Sequence, residues 1–315
     1  MTTLAPRAAT GNRRDNARNR LVTVVTVAPQ REILLAACRT IGVDTGATDL
    51  IRAGSNTLYR LPGGIVARIG RPGRQDLAYK EAVVATWLAA AGVPAVRVLS
   101  DVEQPVRVAD RAVTFWYELA PHRRASMGEI ASVLRQLHTL PRPGFDLPAL
   151  TPLWPRGDLS RTEYLDAADR SWVLGRLDML HRRYVELPAG QPWCFVHGDA
   201  WAGNFVTTAG GPVMLDLERF AYGPPEWDLV AVALAYVTHG THSRREWLDF
   251  CARYGDDVTG WNGFAVLRDI RELRKAVFGL PRQKWDSAIA AQARYRLACL
   301  RGQHGPRPWR WWPSP

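Results

Sequence analysis

The chain has 315 residues, 47% of them hydrophobic, and a formal net charge of +11. That length can bury a sizeable core in one two-lobed unit or two small domains, and the absence of an apolar run long enough to span a bilayer argues against a helical membrane protein. The four cysteines, Cys38, Cys194, Cys251 and Cys299, show neither pairing nor metal-ligand spacing, which suits a reducing cytoplasm. The positive charge is nearly all arginine, Lys80, Lys275 and Lys284 being the only lysines, and it is spread along the chain. It reads as a compositional bias, so neither a nucleic-acid nor a membrane partner is expected.

Residues 1–28 read as a disordered basic leader, because Arg7, Arg13, Arg14, Arg18 and Arg20 have no apolar segment beside them and no secretory signal forms. From Pro29 to Ile41 apolar residues recur at helical spacing and stop at Gly42. Strands are expected over Ile51–Ala53, Leu58–Leu61 and Ile65–Ile69, separated by Gly54-Ser55-Asn56-Thr57 and Pro62-Gly63-Gly64. Small residues in the first of these turns would let backbone N–H groups approach nucleotide phosphates, which makes Ser55 and Asn56 candidate contacts; a plain hairpin turn would look the same.

A helix over Gln75–Ala91 ends at Gly92 with Pro94 beyond, and strands follow at Val96–Leu99, Val106–Val108 and Ala112–Tyr117. A helix over Ser126–Leu140, a Pro-rich loop from Pro141 to Pro155 and a helix over Ser160–Val185 come next. Three short apolar runs, Trp193–Val196, Asn204–Thr208 and Pro212–Leu215, then end in polar residues or glycines, the pattern of strands that deliver side chains from their ends into a shared cleft. Helices are expected over Leu229–Val237, Arg244–Tyr254, Phe264–Leu280 and Trp285–Leu300, ahead of a tail, Gly305–Pro315, whose tryptophans should pack on them.

The chemistry gathers between His197 and Asp228. Phosphoryl transfer to a hydroxyl needs a carboxylate to orient that hydroxyl and metal ions held against the phosphates. Asp199, two residues after His197, can accept the hydrogen bond of the hydroxyl. Asn204 adds an amide oxygen and Asp216 a hard carboxylate at the end of the following hairpin. One amide oxygen and one carboxylate suit Mg2+, which keeps several waters and takes its remaining ligands from phosphates.

His197-Gly198-Asp199 with Asn204, then Asp216-Leu217-Glu218, then Gly223-Pro224 and Asp228, resembles the aminoglycoside phosphotransferase and choline-kinase-like families. The resemblance implies an α+β, two-lobed protein-kinase-like fold, with a small antiparallel-sheet lobe and a larger, mainly helical lobe. It implies Asp199 as the catalytic base, Asn204 and Asp216 as magnesium ligands with Glu218 in or facing the metal shell, and structural roles for His197 and Asp228. By the same resemblance Arg68 takes the place of the usual phosphate-binding lysine, Glu81 pairs with it, and Glu118 C=O with Ala120 N–H would bind adenine at a hinge. Trp201 and Ala202 depart from the family's loop, so Trp201 is a candidate substrate contact. Arginine can hold phosphate bidentately but is not a silent exchange for lysine.

Domain limits follow as a nucleotide-binding lobe over 29–117, a catalytic and acceptor-binding lobe over 118–304, and the tail over 305–315. The expected function is transfer of the terminal phosphate of ATP or GTP, with Mg2+, to a hydroxyl of a small molecule such as an aminoglycoside-like antibiotic, a sugar or an amino alcohol. A nucleotide-binding pseudokinase is the alternative. Asp269 and Glu272, three apart on one helix, could meet a cationic acceptor, or could form a solvated face paired with Arg268, Arg271 and Lys275. Against a polycationic acceptor, residues 241–315 hold fourteen Lys or Arg and seven Asp or Glu.

Overall fold

The computed structural model describes residues 30–54, 56–153, 165–278 and 287–311. The expected leader, Ser55 and the last residues of the tail lie outside these. By internal contacts the chain divides into two compact units: the described residues up to Thr86 with Arg97–Glu118, and Trp87–Val96 with Leu119 onward. The helix Gln75–Ala90 thus gives its first turns to one unit and its last to the other.

The first unit is a five-stranded antiparallel sheet in the order β1-β2-β3-β5-β4, formed by β1 (Asp49–Arg52), β2 (Thr57–Leu61), β3 (Ile65–Ile69), β4 (Val106–Val108) and β5 (Arg111–Tyr117). Its alternating residues Tyr59, Leu61, Ala67, Ile69, Val113 and Phe115 turn to one face and bury Leu34, Ala37 and Cys38 of the helix over residues 30–41. The β2–β3 hairpin closes through Gly63 and Gly64 at φ 77° and 71°, a conformation that glycine adopts without steric cost. The 96–99 stretch is not a strand: Ala95 bridges to Met214 and Val98 to Trp116, so its pairing is shared between two sheets and extends along neither.

The second unit is mainly helical, with two small sheets. One pairs β6 (His122–Arg124), β8 (Phe205–Thr208) and β9 (Gly211–Met214); the other pairs β7 (Cys194–Val196) with β10 (Ala221–Gly223). Its centre is the helix Glu226–Val237, buried through Ala235 and packed against the helices Arg244–Tyr254 and Phe264–Phe278. The latter also carries Ala167–Val185 and Ser287–Leu300. Ser126 with Glu129 and Ser243 with Glu246 form capping boxes that begin the helices Met127–His138 and Arg244–Tyr254. No described helix is long and apolar enough to cross a membrane.

Candidate active site

The His197-Gly198-Asp199 turn follows β7 and is held by Asp228, which stands in the first turn of the buried Glu226–Val237 helix. Asp228 is fully buried; its Oδ2 accepts from the His197 N–H at 2.6 Å and its Oδ1 from the Gly198 N–H at 3.0 Å. Two backbone donors and a helix N-terminus are what a buried carboxylate needs. His138 Nε2 lies 3.3 Å from Asp228 Oδ2, with Nδ1 2.8 Å from the Tyr254 hydroxyl. Burial alone would push the Asp228 carboxyl up, but its contact with His138 and the charge of Arg271 help hold it below the ordinary carboxylate value. Gly198 has φ 80°, and a Cβ there would meet the Arg219 carbonyl oxygen at 2.2 Å. Only glycine fits that approach.

His197 ties the turn to the hairpin. Its Nδ1 accepts from the Asp199 N–H at 3.1 Å, so the hydrogen sits on Nε2, which donates to the Leu215 carbonyl at 2.7 Å. Asn204 completes the circuit: Nδ2 donates to the Asp199 carbonyl at 2.9 Å, and the Asn204 carbonyl accepts from Leu215 N–H at 2.8 Å. Asp199, Asn204 and the residue before Asp216 therefore belong to one hydrogen-bonded circuit. Asp216 itself is exposed and left-handed, at φ 55° and ψ 73°, and its side chain forms no cap bond. Such backbone is rare outside glycine and is best tolerated by Asn and Asp.

The circuit bears on the metal. With Nδ2 committed to the Asp199 carbonyl, the Asn204 Oδ1 is the amide atom left for a cation, and the exposed Asp216 carboxylate supplies a second hard oxygen. Glu218 sits in the short 3-10 turn Leu217–Arg219 just after it. Among the described residues no group of three or more His, Cys, Asp or Glu could cage an ion. A two-oxygen set fits a magnesium-type cation that completes its shell with water and phosphate.

Asp199 has a side chain 39% exposed, and Arg271 Nη1 lies 3.9 Å from its Oδ1. Arg271 comes from the helix Phe264–Phe278, donates from Nε to the Trp227 carbonyl at 2.9 Å and stacks on the Trp227 ring. Trp227 in turn donates from Nε1 to the Gly198 carbonyl at 2.8 Å. Burial pulls the Arg271 guanidinium down to about 10, with Asp199 and Asp228 acting the other way. Trp201 folds its ring over Gly203, where a Cβ would meet it at 2.1 Å, and Lys275 Nζ stands 5.9 Å from the same ring.

In the first unit, Arg68 on β3 pairs its Nη1 with Glu81 Oε1 at 2.7 Å, Glu81 being buried on the Gln75–Ala90 helix. With its amide oxygen turned to the guanidinium, Asn56 accepts from Arg68 Nη2 at 2.8 Å and Nε at 3.1 Å. The Glu118 side chain is engaged with Arg60 at 2.6 Å, and its N–H with the Gly64 carbonyl. Ala120 is exposed, and its carbonyl meets His122 Nδ1 at 2.9 Å.

Asp269 and Glu272 require correction. Neither forms a solvated face or an acidic patch for a cationic acceptor: Asp269 is 6% exposed and Glu272 fully buried. Arg176 and Arg268 each reach Asp269 at 2.8 Å, while Arg307 of the tail and the Thr238 hydroxyl hold Glu272 at 2.5 and 2.7 Å. Arginines already neutralise both carboxylates. The expected partners Arg271 and Lys275 face Asp199 and Trp201 instead, a placement that charge spacing along the helix does not distinguish.

A sheet unit carrying an Arg–Glu pair and a helical unit carrying the Asp199–Asn204–Leu215 circuit, with Asp216 next in the chain, define a protein-kinase-like phosphotransferase. The family model described as "Phosphotransferase enzyme family" matches residues 52–270, and the chain belongs to that family. No curated protein matches the chain by sequence. Solved structures share the fold. Amicoumacin kinase hAmiN, in complex with AMP-PNP, Ca2+ and Ami, is similar at TM-score 0.70 and 13% identity, over 90% of this chain and 96% of that one. Choline kinase LicA from Streptococcus pneumoniae is similar at 0.63 and 14%, over 86% and 100%. Spectinomycin phosphotransferase, with ADP and spectinomycin, is similar at 0.58 and 14%, over 85% and 88%.

Proposed function

We propose that this phosphotransferase moves the terminal phosphoryl group of ATP or GTP to a hydroxyl group of a small molecule, with Asp199 as the base. The observation that carries this reading is the Asp199–Asn204–Leu215 circuit pinned by Asp228, because it ties the turn that bears a half-exposed carboxylate to the segments that bear two candidate cation oxygens. In the step, the acceptor oxygen attacks the terminal phosphorus and the bond to the nucleoside diphosphate breaks. The diphosphate leaves with the electron pair, and the hydroxyl proton passes to the Asp199 carboxylate.

Asn204 and Asp216, with Glu218 in or beside the shell, would hold Mg2+, which supplies charge neutralisation at the phosphates when bound. Arg68, steadied by Glu81 and Asn56, is the residue suited to the nucleotide's phosphates; Ser55, the expected neighbour, lies outside the described residues. Glu118 and Ala120 keep the hinge role as a proposal, and Trp201 that of an acceptor contact. The AMP-PNP, ADP and Ca2+ complexes of the structural relatives support nucleotide and divalent-cation use.

The test is ADP and GDP release from ATP and GTP with Mg2+ against a panel of hydroxyl compounds. Acceptor-stimulated release should fall by roughly 10²- to 10⁴-fold in Asp199→Ala. Nucleotide binding with no release above that variant would overturn the reading in favour of a pseudokinase.

A further inference from the structure

We infer that Arg307 of the tail is a positioning residue for the transfer: by occupying the Glu272 carboxylate it keeps the Lys275 ammonium turned to His239 and to the Trp201 ring, two residues after Asp199. The inference rests on the phosphotransfer reading for its effect on turnover, but the placement of Lys275 can be tested without it.

Two cations of the helical unit compete for one buried carboxylate. Glu272 and Lys275 stand at i and i+3 on the helix Phe264–Phe278, a spacing at which opposite charges meet. Both reach the same corner of the chain. Glu272 accepts from the Thr238 hydroxyl at 2.7 Å, and Lys275 Nζ donates to His239 Nε2 at 3.2 Å. Their partners are adjacent residues, and Glu272 favours the charged form of Lys275. Neither oxygen takes the ammonium, because Arg307 holds both, its Nε donating to Oε1 at 2.7 Å and its Nη2 to Oε2 at 2.5 Å. A planar fork on two oxygens outcompetes a point charge. Lys275 is thereby left to the imidazole of His239 and to the Trp201 ring, whose centroid is 5.9 Å away.

The tail is anchored independently of its arginine. Trp309 N–H donates to the Thr238 carbonyl at 2.7 Å, the Tyr295 hydroxyl donates to the Trp309 carbonyl at 2.8 Å, and Trp311, stacked on Trp309, lies 5.8 Å from the His239 ring. Pro308 abuts Gly240, where an added Cβ would come within 3.0 Å of it. The tail thus closes over the corner from which Lys275 takes its partner. Burial first, then Lys275 and Arg296, holds His239 at about 2, so that partner is neutral. Burial, before the repulsion of Arg271 and Arg296, brings Lys275 to about 8 against the opposing pull of Asp199 and Glu272. A Glu272 freed of Arg307 would win the ammonium and draw its charge away from the Asp199 side.

The test uses the full chain carrying Arg307→Gln, which keeps an amide donor and the other anchors of the tail but releases the Glu272 charge. It is compared with Arg307→Gln/Glu272→Gln, in which that carboxylate is gone. Amine acylation followed against pH by peptide mass spectrometry reports on Lys275, because Lys80 and Lys284 are the only other lysines. The Lys275 midpoint should rise by about one pH unit or more in Arg307→Gln and return close to the native value in the double variant. In ADP release with the acceptor panel, kcat/KM should fall by about fivefold or more in the single variant and recover to within about twofold in the double. A structural tie alone would give no such recovery, since losing a second buried partner deepens the damage. A midpoint unchanged in Arg307→Gln, or a double variant as impaired as the single, would overturn the proposal. Should the single variant not fold, the double variant, which removes the charge of both partners, decides: native-like midpoint and turnover support the inference and their loss overturns it. If the midpoints move as expected while native ADP release stays no higher than that of Asp199→Ala, the placement of Lys275 stands and the phosphotransfer reading alone fails.

Discussion

Arg271 and Asp199 form the one ion pair at the His197-Gly198-Asp199 turn among the described residues, Nη1 to Oδ1 at 3.9 Å, and the pair is built from both sides of the helical core. Trp227 receives the Arg271 Nε at its carbonyl and the guanidinium on its ring, 4.0 Å from the centroid, and its own Nε1 holds Gly198. One tryptophan therefore sets the position of the cation and of the turn that carries Asp199.

Replacing Arg271 with Met should lower kcat/KM by about tenfold or more, equivalent to ~1.4 kcal/mol of transition-state stabilisation. The loss should be strongly non-additive with Asp199→Ala, because the guanidinium acts through that carboxylate. Kinetics of the two single variants and the double variant measure the coupling. Full additivity would show that Arg271 acts elsewhere.

Asp228→Ala should be among the most destabilising substitutions in the chain. It leaves the His197 and Gly198 N–H groups buried without an acceptor, at about 1–3 kcal/mol each, and removes the partner of His138. Denaturant unfolding should show a loss of roughly 3 kcal/mol, with activity lost alongside it.

Asp216→Asn separates chemistry from folding. Asn tolerates the left-handed backbone at φ 55° as Asp does, and the exposed Asp216 side chain caps nothing, so Tm should stay within about 1 °C. Activity should nonetheless fall by about 10²-fold or more, with the Mg2+ concentration needed for half-activity raised, because a carboxylate has become a neutral amide. A substantial Tm loss with unchanged metal dependence would count against the metal role.

His239 gives a pH dependence. Burial, then Lys275 and Arg296, holds its folded pKa at about 2 against 6.5 for the free group. The folded chain thus keeps it neutral where the unfolded chain binds a proton, and stability is lost as pH falls below about 6.5. Lys275 contacts its Nε2, the Trp311 ring lies 5.8 Å away, and Arg296 adds its charge, so protonation has no relief. Unfolding free energy measured at pH 7 and pH 5 should fall across that interval in the native chain and fall less in His239→Gln. Glu129 and Glu246, both held at about 2 against 4.5, add their own loss only at lower pH.

Much of the scaffold was readable from local pattern. The β2–β3 hairpin needs Gly63 and Gly64 where the chain has them, and capping boxes at Ser126 and Ser243 start helices within one turn. β6 was not readable, because His122-Arg123-Arg124 is exposed and without apolar alternation; only its partner β8 makes it a strand. β10 is three residues with Gly223 at the end, defined by pairing with β7.

The candidate site divides along the same line. Asp199, Asn204, Asp216 and Asp228 lie within one short stretch, so their order and spacing follow from a turn, a hairpin and the start of a helix, and the sequence alone determined which chemistry they suit. What only the tertiary structure decided is the charge facing that chemistry. The helix Phe264–Phe278 carries acids and bases on neighbouring turns, and its rotation is fixed by burying Leu267, Ile270 and Leu273 rather than by any preference of its charges. That rotation sends Asp269 and Glu272 to waiting arginines and brings Arg271 and Lys275 to Asp199 and Trp201, the reverse of the acidic acceptor face that the spacing allowed.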